Sequence, residues 1–201
     1  MPQTPPPKLK PVPRIVLIRH GQPAISLSPR ASHSEFGAYI HAYEAAGLDS
    51  ASLPPREIAD LVKELTFVFT SGKPRAHESA GVLAPHAELK AHPVFVEAPL
   101  ASPRLPLLRM RVQTWAVVAR LLWHGGHHPG IENYAAARTR AARAADMLVA
   151  GAKQSGAVAL VAHGYFNAMI GRQLRRRGWS RSGSHRVQYW NAVIYDWKNG
   201  D

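Results

Sequence analysis

Two apolar runs in this sequence end in the same way. Ile15-Val16-Leu17-Ile18 stops at Arg19-His20-Gly21, and Ala157-Val158-Ala159-Leu160-Val161-Ala162 stops at His163-Gly164. A short, continuously apolar stretch bounded by polar residues reads as a buried strand, and the β-branched residues in both runs favour it. A guanidinium, an imidazole and a glycine make poor core material. At the carboxyl end of a buried strand in an open α/β sheet they stand where ligands bind.

The chain between and after these runs alternates in the same manner. Residues 66–70 read as a strand that leads into Ser71-Gly72-Lys73-Pro74-Arg75-Ala76-His77-Glu78-Ser79-Ala80, and residues 93–96 as a third strand that ends at Glu97. Helices are expected over residues 34–46, 56–64, 107–123, 131–152 and 165–177. Ser34 is the expected N-cap of the first and Gly47 its stop. Phe36, Ile40 and Tyr43 at helical spacing read as packing residues, on a segment able to cover a pocket mouth. The helix over 107–123 turns Leu108, Val112, Trp115, Ala119 and Leu122 inward, and the last turns Phe166, Met169, Ile170 and Leu174 inward. In the helix over 131–152 the arginines face water, and Glu132 near the start suits the helix dipole. Residues 187–189 and 192–197 form a terminal strand pair around Trp190-Asn191. This alternation predicts an α/β fold, a three-layer sandwich with a mostly parallel central sheet flanked by helices. It spans residues 14–201 as one domain, behind a proline-rich extension over residues 1–13.

Composition sets the outer limits. A chain of 201 residues suffices for one domain with a sizeable core. No apolar run is long enough to span a membrane, and the extension lacks the apolar core of a secretory signal, so cytoplasm is the default compartment. The absence of cysteine excludes disulfides and thiolate chemistry. The net charge of +12 favours anionic partners, but charge alone does not make nucleic acid one of them. His124, His127 and His128 lie close in sequence, yet no spaced carboxylate or helical histidine pair accompanies them, so they read as a solvated loop rather than a metal site. The arginine-rich stretch over residues 172–186 reads as a helix end plus loop, with an anion-binding patch as the sharper alternative.

Position then gathers the polar residues. In a parallel sheet the strand ends meet at one edge, which brings together Arg19-His20, Ser71 with Arg75, Glu97, and His163. Two arginines and two histidines at one edge make a pocket for phosphate. A neutral imidazole nitrogen is a competent nucleophile towards phosphorus. The planar fork of arginine can hold two phosphate oxygens at once. A turn that opens a helix, as after Ser71, offers free N–H groups to an anion.

These stretches resemble the signatures of the histidine phosphatase (phosphoglycerate mutase-like) superfamily. Arg19-His20-Gly21-Gln22 follows the first strand, Arg75-Ala76-His77-Glu78-Ser79-Ala80 follows a serine-containing turn, and His163-Gly164 follows the fourth. The resemblance implies a phosphatase that works through a phosphohistidine. His20 is its nucleophile, Arg19, Arg75, His163, Gln22 and Ser71 hold the phosphate, and His163 also stabilises the transition state. Glu97 is the proton donor, because it follows a predicted strand where the family places its acid. Glu78 belongs to the family motif but is read as a packing or supporting residue, and His77 as exposed or structural. No cofactor and no metal are required, since the cations are side chains. The partner is a small phosphorylated substrate or a phosphoprotein, with no membrane involved and the oligomeric state open. The Gly-x-Trp-Glu-Gly stretch of the mutases is missing and the proline-rich residues 98–106 stand in its place; Gln22 replaces the common Glu. The missing stretch and the short chain make a phosphoglycerate mutase less favoured than a phosphatase, while Gln at this position also occurs in the family. A non-catalytic phosphate-binding module of the same fold is the remaining alternative.

Overall fold

A computed structural model describes residues 12–26 and 30–198. The proline-rich lead-in up to residue 11, and Pro29 in the loop after the first strand, lie outside the described residues. Strand β1 (Arg14–Arg19) occupies the middle of a six-stranded sheet, beside β4 (Ala157–Ala162). The other strands are β2 (Phe67–Thr70), β3 (Glu88–Ala91), β5 (Trp179–Ser182) and β6 (Ala192–Trp197), in the order β3-β2-β4-β1-β6-β5. The pairs β3-β2, β2-β4 and β4-β1 are parallel, and β1-β6 and β6-β5 are antiparallel. In the β1-β4 register Arg19 lies opposite Ala162, so both His-Gly steps emerge side by side at one edge.

The helices are α1 (His33–Ala45), α2 (Arg56–Asp60), α3 (Pro74–Leu83), α4 (Val112–His124), α5 (Tyr134–Ser155) and α6 (Gly164–Arg176). One face of the sheet buries Ile15, Leu17, Val158 and Leu160 against the small-residue stripe of α5 (Ala137, Ala141, Ala144, Ala145) and against Phe166, Ile170 and Leu174 of α6. The other face buries Val16, Ile18, Ala159 and Val161 against Ala80 and Leu83 of α3 and Val62 after α2. The side-chain period of two sends alternate residues of β1 and β4 to opposite faces. Both faces are covered, which is why these strands are apolar throughout. A third cluster, with Phe36 stacked on Trp115 at 5.8 Å between centroids, joins α1 to α4.

The structure departs from the sequence expectations in several places. The third strand is not at residues 93–96, which form a 3-10 turn over Pro93–Phe95. The strand is the preceding Glu88–Ala91, an exposed edge whose charged residues give no buried-strand signal. Pro93 has no N–H for a ladder bond and opens the turn instead. The partner of β6 is Trp179–Ser182, inside the arginine-rich stretch, and not residues 187–189. Helix α4 begins at Val112, and Leu108 and Leu122 stay exposed while Trp123 is buried. Helix α2 spans only Arg56–Asp60. Ser32, not Ser34, caps α1. Its hydroxyl accepts from the Glu35 N–H while the Glu35 carboxylate accepts from the Ser32 N–H.

Candidate active site

His20 is the first residue past β1 and is 1% exposed. Its backbone N–H donates to the Ala162 carbonyl, which ties it to the end of β4. The next residue must be glycine on steric grounds, because a Cβ on Gly21 would run into the Trp190 ring and the Leu48 side chain. The Gly21 N–H donates to Ser79 Oγ at 2.9 Å, and the Ser79 hydroxyl donates to the Arg75 carbonyl at 2.5 Å, so the loop after β1 is bonded to the first turns of α3. On the other side the buried Asn167 amide of α6 donates to the Ile18 carbonyl at 3.0 Å.

This frame fixes the His20 ring. Nδ1 lies 2.7 Å from the Gly21 carbonyl oxygen. A carbonyl can only accept, so Nδ1 carries the proton and Nε2 keeps its lone pair. Burial pushes the His20 pKa down to about 3. The Gly21 hydrogen bond opposes that shift, and the Arg75 and Arg19 charges add to it. The imidazole is therefore neutral at any ordinary pH.

His163 is the N-cap of α6, and its ring centroid lies 5.3 Å from that of His20. Its Nδ1 is 3.4 Å from Nη2 of Arg75, and its Nε2 is 2.8 Å from Ser71 Oγ. Guanidinium only donates, so Nδ1 accepts and the Nε2–H points at Ser71. Burial, with His20 and Arg75 beside it, holds the His163 pKa well below the usual imidazole value.

Arg75, on the first turn of α3, is fully buried. It donates to the Tyr43 carbonyl at 2.7 Å and to Glu44 Oε1 at 3.1 Å, both at the end of α1. Arg19 donates to the Val187 carbonyl and lies 4.6 Å over the Tyr189 ring. In both arginines the Nε–H is buried and has no acceptor among the described residues. Orphaned buried donors are rare in folded proteins and call for an acceptor. Two of them beside a neutral imidazole form a place that an oxyanion would complete.

Glu97 stands on the wall of a cavity of about 970 Å3 that Arg19 also lines. Its carboxylate caps α6. Oε1 accepts from the N–H groups of Phe166 and Ala98 at 2.9 Å each, and Oε2 accepts from Tyr165 at 3.3 Å. The acid thus sits on the same helix N-terminus as His163. Burial raises its pKa, against Arg120 and the three N–H bonds, which pull it back.

The structure therefore gathers His20, His163, Arg19, Arg75 and Ser71 into one cluster, with Glu97 on the adjoining wall. It does not gather Gln22, whose side chain is exposed and whose backbone N–H is held by Ser52 at 2.8 Å. Glu78 accepts from the Leu48 N–H at 2.6 Å and packs against Gly47, so it anchors the chain beyond α1; His77 is exposed.

Sequence reasoning missed several members. Tyr43, read as a packing residue, brings its hydroxyl to 3.4 Å from His20 Nε2. Tyr189, read as strand, lies 5.9 Å from the His20 ring. Arg140 of α5, read as solvated, donates to the Val94 and Val96 carbonyls at 3.0 and 2.6 Å and pairs with Glu132 at 2.6 Å. Arg120 of α4 donates to the Ala98 and Pro99 carbonyls at 2.9 and 3.2 Å. Together the two arginines hold the segment that carries Glu97. No periodicity marks such residues, since each acts on backbone far away in sequence.

Among the described residues no group of three or more histidine, aspartate or glutamate side chains is placed to hold a metal ion. No helix of the described residues is long and apolar enough to cross a membrane.

The sequence matches the family model of the histidine phosphatase superfamily, branch 1, over residues 15–201. No curated protein matches it. Solved structures of the same fold include that of the open reading frame Rv3214 of Mycobacterium tuberculosis, with 18% identity and a TM-score of 0.60 over 93% of this chain and 92% of that one. A mycobacterial glucosyl-3-phosphoglycerate phosphatase shares 19% identity, with a TM-score of 0.53 over 82% of this chain and 80% of that one. The phosphoserine phosphatase of Entamoeba histolytica, solved with 3-phosphoglyceric acid, shares 13%, with a TM-score of 0.56 over 90% and 89%. With the family model spanning both His-Gly steps and the strands that present them, the chain belongs to branch 1 of the histidine phosphatase superfamily.

Proposed function

We propose that this protein hydrolyses phosphate monoesters through a phosphohistidine on His20. The observation that carries the reading is the state of that ring: neutral, buried, its Nδ1–H tied to the Gly21 carbonyl and its Nε2 lone pair left unprotonated, with only the Tyr43 hydroxyl at 3.4 Å against it, between two arginines with orphaned Nε–H donors. The phosphatases among the structural neighbours support the same class of reaction.

In the first step His20 Nε2 attacks phosphorus in line with the ester oxygen. The N–P bond forms, the P–O ester bond breaks, and the leaving oxygen takes a proton from Glu97. Charge on the transferring phosphoryl oxygens meets the Nε–H donors of Arg19 and Arg75, which have no acceptor of their own, with the His163 ring beside them, once Tyr43 and Glu44 have given way. Phosphorylation makes the His20 ring cationic, and the Gly21 carbonyl, already bonded to Nδ1–H, stabilises it. In the second step water attacks phosphorus, gives its proton to Glu97, and the N–P bond breaks. Inorganic phosphate leaves, with His20 and the protonated Glu97 restored. Ser71 orients His163, and Gln22 takes no part.

Tyr43 and Glu44 stand in the space the phosphate needs, the first against Nε2 and the second on Arg75. Substrate entry displaces the end of α1. The test is turnover of an aryl phosphate by the wild type and by His20→Ala, with chelator present. Turnover lost in the variant is expected. Turnover that survives overturns the reading.

A further inference from the structure

The cavity beyond Arg19 points to a leaving group, and this inference rests on the phosphatase reading above. Among the described residues, three lysine or arginine side chains line it besides Arg19, and each is already engaged. Lys73 pairs with Glu44 at 2.8 Å. Arg140 pairs with Glu132 at 2.6 Å. Arg120 donates to the Ala98 and Pro99 carbonyls and lies 4.1 Å over the Tyr165 ring. The same wall carries three carboxylates, Glu44, Glu97 and Glu132. A second anionic group on the substrate would meet these acids, two of which already neutralise Lys73 and Arg140. Between the charged residues the wall is apolar and aromatic, with Phe36, Tyr39, Ile40, Leu100, Val112 and Tyr189. At about 970 Å3 the space is at the upper end for a small-molecule site.

We infer that the preferred substrates are phosphate monoesters of bulky, uncharged apolar or aromatic alcohols, and that small phosphorylated acids are poor ones. Size and apolar lining reward buried leaving-group surface, and the paired cations withhold what a carboxylate needs.

The experiment compares kcat/KM for 1-naphthyl phosphate and decyl phosphate with that for 3-phosphoglycerate and phosphoserine, in the wild type and in Leu100→Asp. The expected result is a preference of at least about tenfold for the apolar esters. Leu100→Asp is expected to cut that preference several-fold. Both readouts are ratios on one preparation, so a loss of folded protein cancels. Phosphohistidine formation is followed in parallel with acetyl phosphate as a small donor. Labelling of His20 together with equal or better use of the small acids overturns the substrate class and leaves the phosphatase reading standing. No labelling of His20 by any donor overturns both.

Discussion

Nη2 of Arg75 lies 3.1 Å from a carboxylate oxygen of Glu44, so the buried guanidinium that faces the two histidines is held by an acid of α1. The same carboxylate bonds Lys73 at 2.8 Å. Burial favours its protonation, yet Lys73 and Arg75 outweigh burial and hold the carboxyl below the usual range. A bound phosphate has to compete with this ion pair. Glu44→Gln is therefore expected to tighten inhibition by vanadate about three- to tenfold, a modest gain because Glu44 is partly exposed and screened. Arg75→Met is expected to weaken it. A weaker vanadate constant in Glu44→Gln would contradict the competition.

The role assigned to Glu97 makes a prediction about leaving groups. A proton donor matters most when the departing oxygen is basic. Glu97→Gln should lower kcat/KM for an alkyl phosphate by about 10²–10⁴, and for 4-nitrophenyl phosphate much less. Because burial lifts the Glu97 pKa, the wild-type rate on alkyl esters should fall as pH rises through that value, and the limb should vanish in the variant. Equal losses on both substrates would count against the assignment.

Stability should weaken in acid for a reason that the His20 ring supplies. Its folded pKa, about 3, lies below the value of about 6.5 in the unfolded chain. Below pH of about 6.5 the unfolded state takes up a proton that the folded state refuses, so stability is full above that pH and drains away towards pH 3, by at most about 1.4 kcal/mol per pH unit for one group. His163 acts in the same direction. Urea unfolding of His20→Gln between pH 7 and pH 4 should show a shallower decline than the wild type. An identical slope would mean that His20 is not buried neutral.

Arg140 is expected to matter for both stability and turnover, although it touches no residue of the His20 cluster. It is mostly buried, pairs with Glu132 and holds the carbonyls before Glu97. Arg140→Met takes its partner from Glu132 and from the Val94, Val96 and Glu97 carbonyls, at a cost of about 2–4 kcal/mol. If it positions Glu97, the variant should also lose kcat on alkyl phosphates more than on 4-nitrophenyl phosphate. A denaturation midpoint unchanged from wild type would remove the first half of this claim.

The elements that carry the His-Gly steps were legible in the sequence because they are buried on both faces. Continuous apolar runs cannot be mistaken for surface, so the polar residues at their ends stand out. Glu88–Ala91 was not legible, since an edge strand has no such run, and Pro93-Val94-Phe95-Val96 offered a better apolar string that proline keeps out of the ladder. Glu97 was still placed at the site end, because it follows the sheet edge whichever of the two segments is the strand. Tyr43, Tyr189 and Arg140 were hidden for a different reason. Helical spacing shows that a residue faces inward, but not that inward means core rather than an active-site wall. Val187–Tyr189 carried a strand-like pattern, yet the Val187 carbonyl is taken by Arg19 and not by a neighbouring strand.

The central claim is that His20 Nε2 carries the phosphoryl group. The most direct measurement is rapid quench of the enzyme with an aryl phosphate, followed by peptide mass spectrometry under alkaline conditions that preserve phosphohistidine. A phosphate on the peptide containing His20, at Nε2 and absent from His20→Ala, is the predicted result. Turnover with no phosphorylated intermediate on His20, or with the phosphate on another residue, would contradict it.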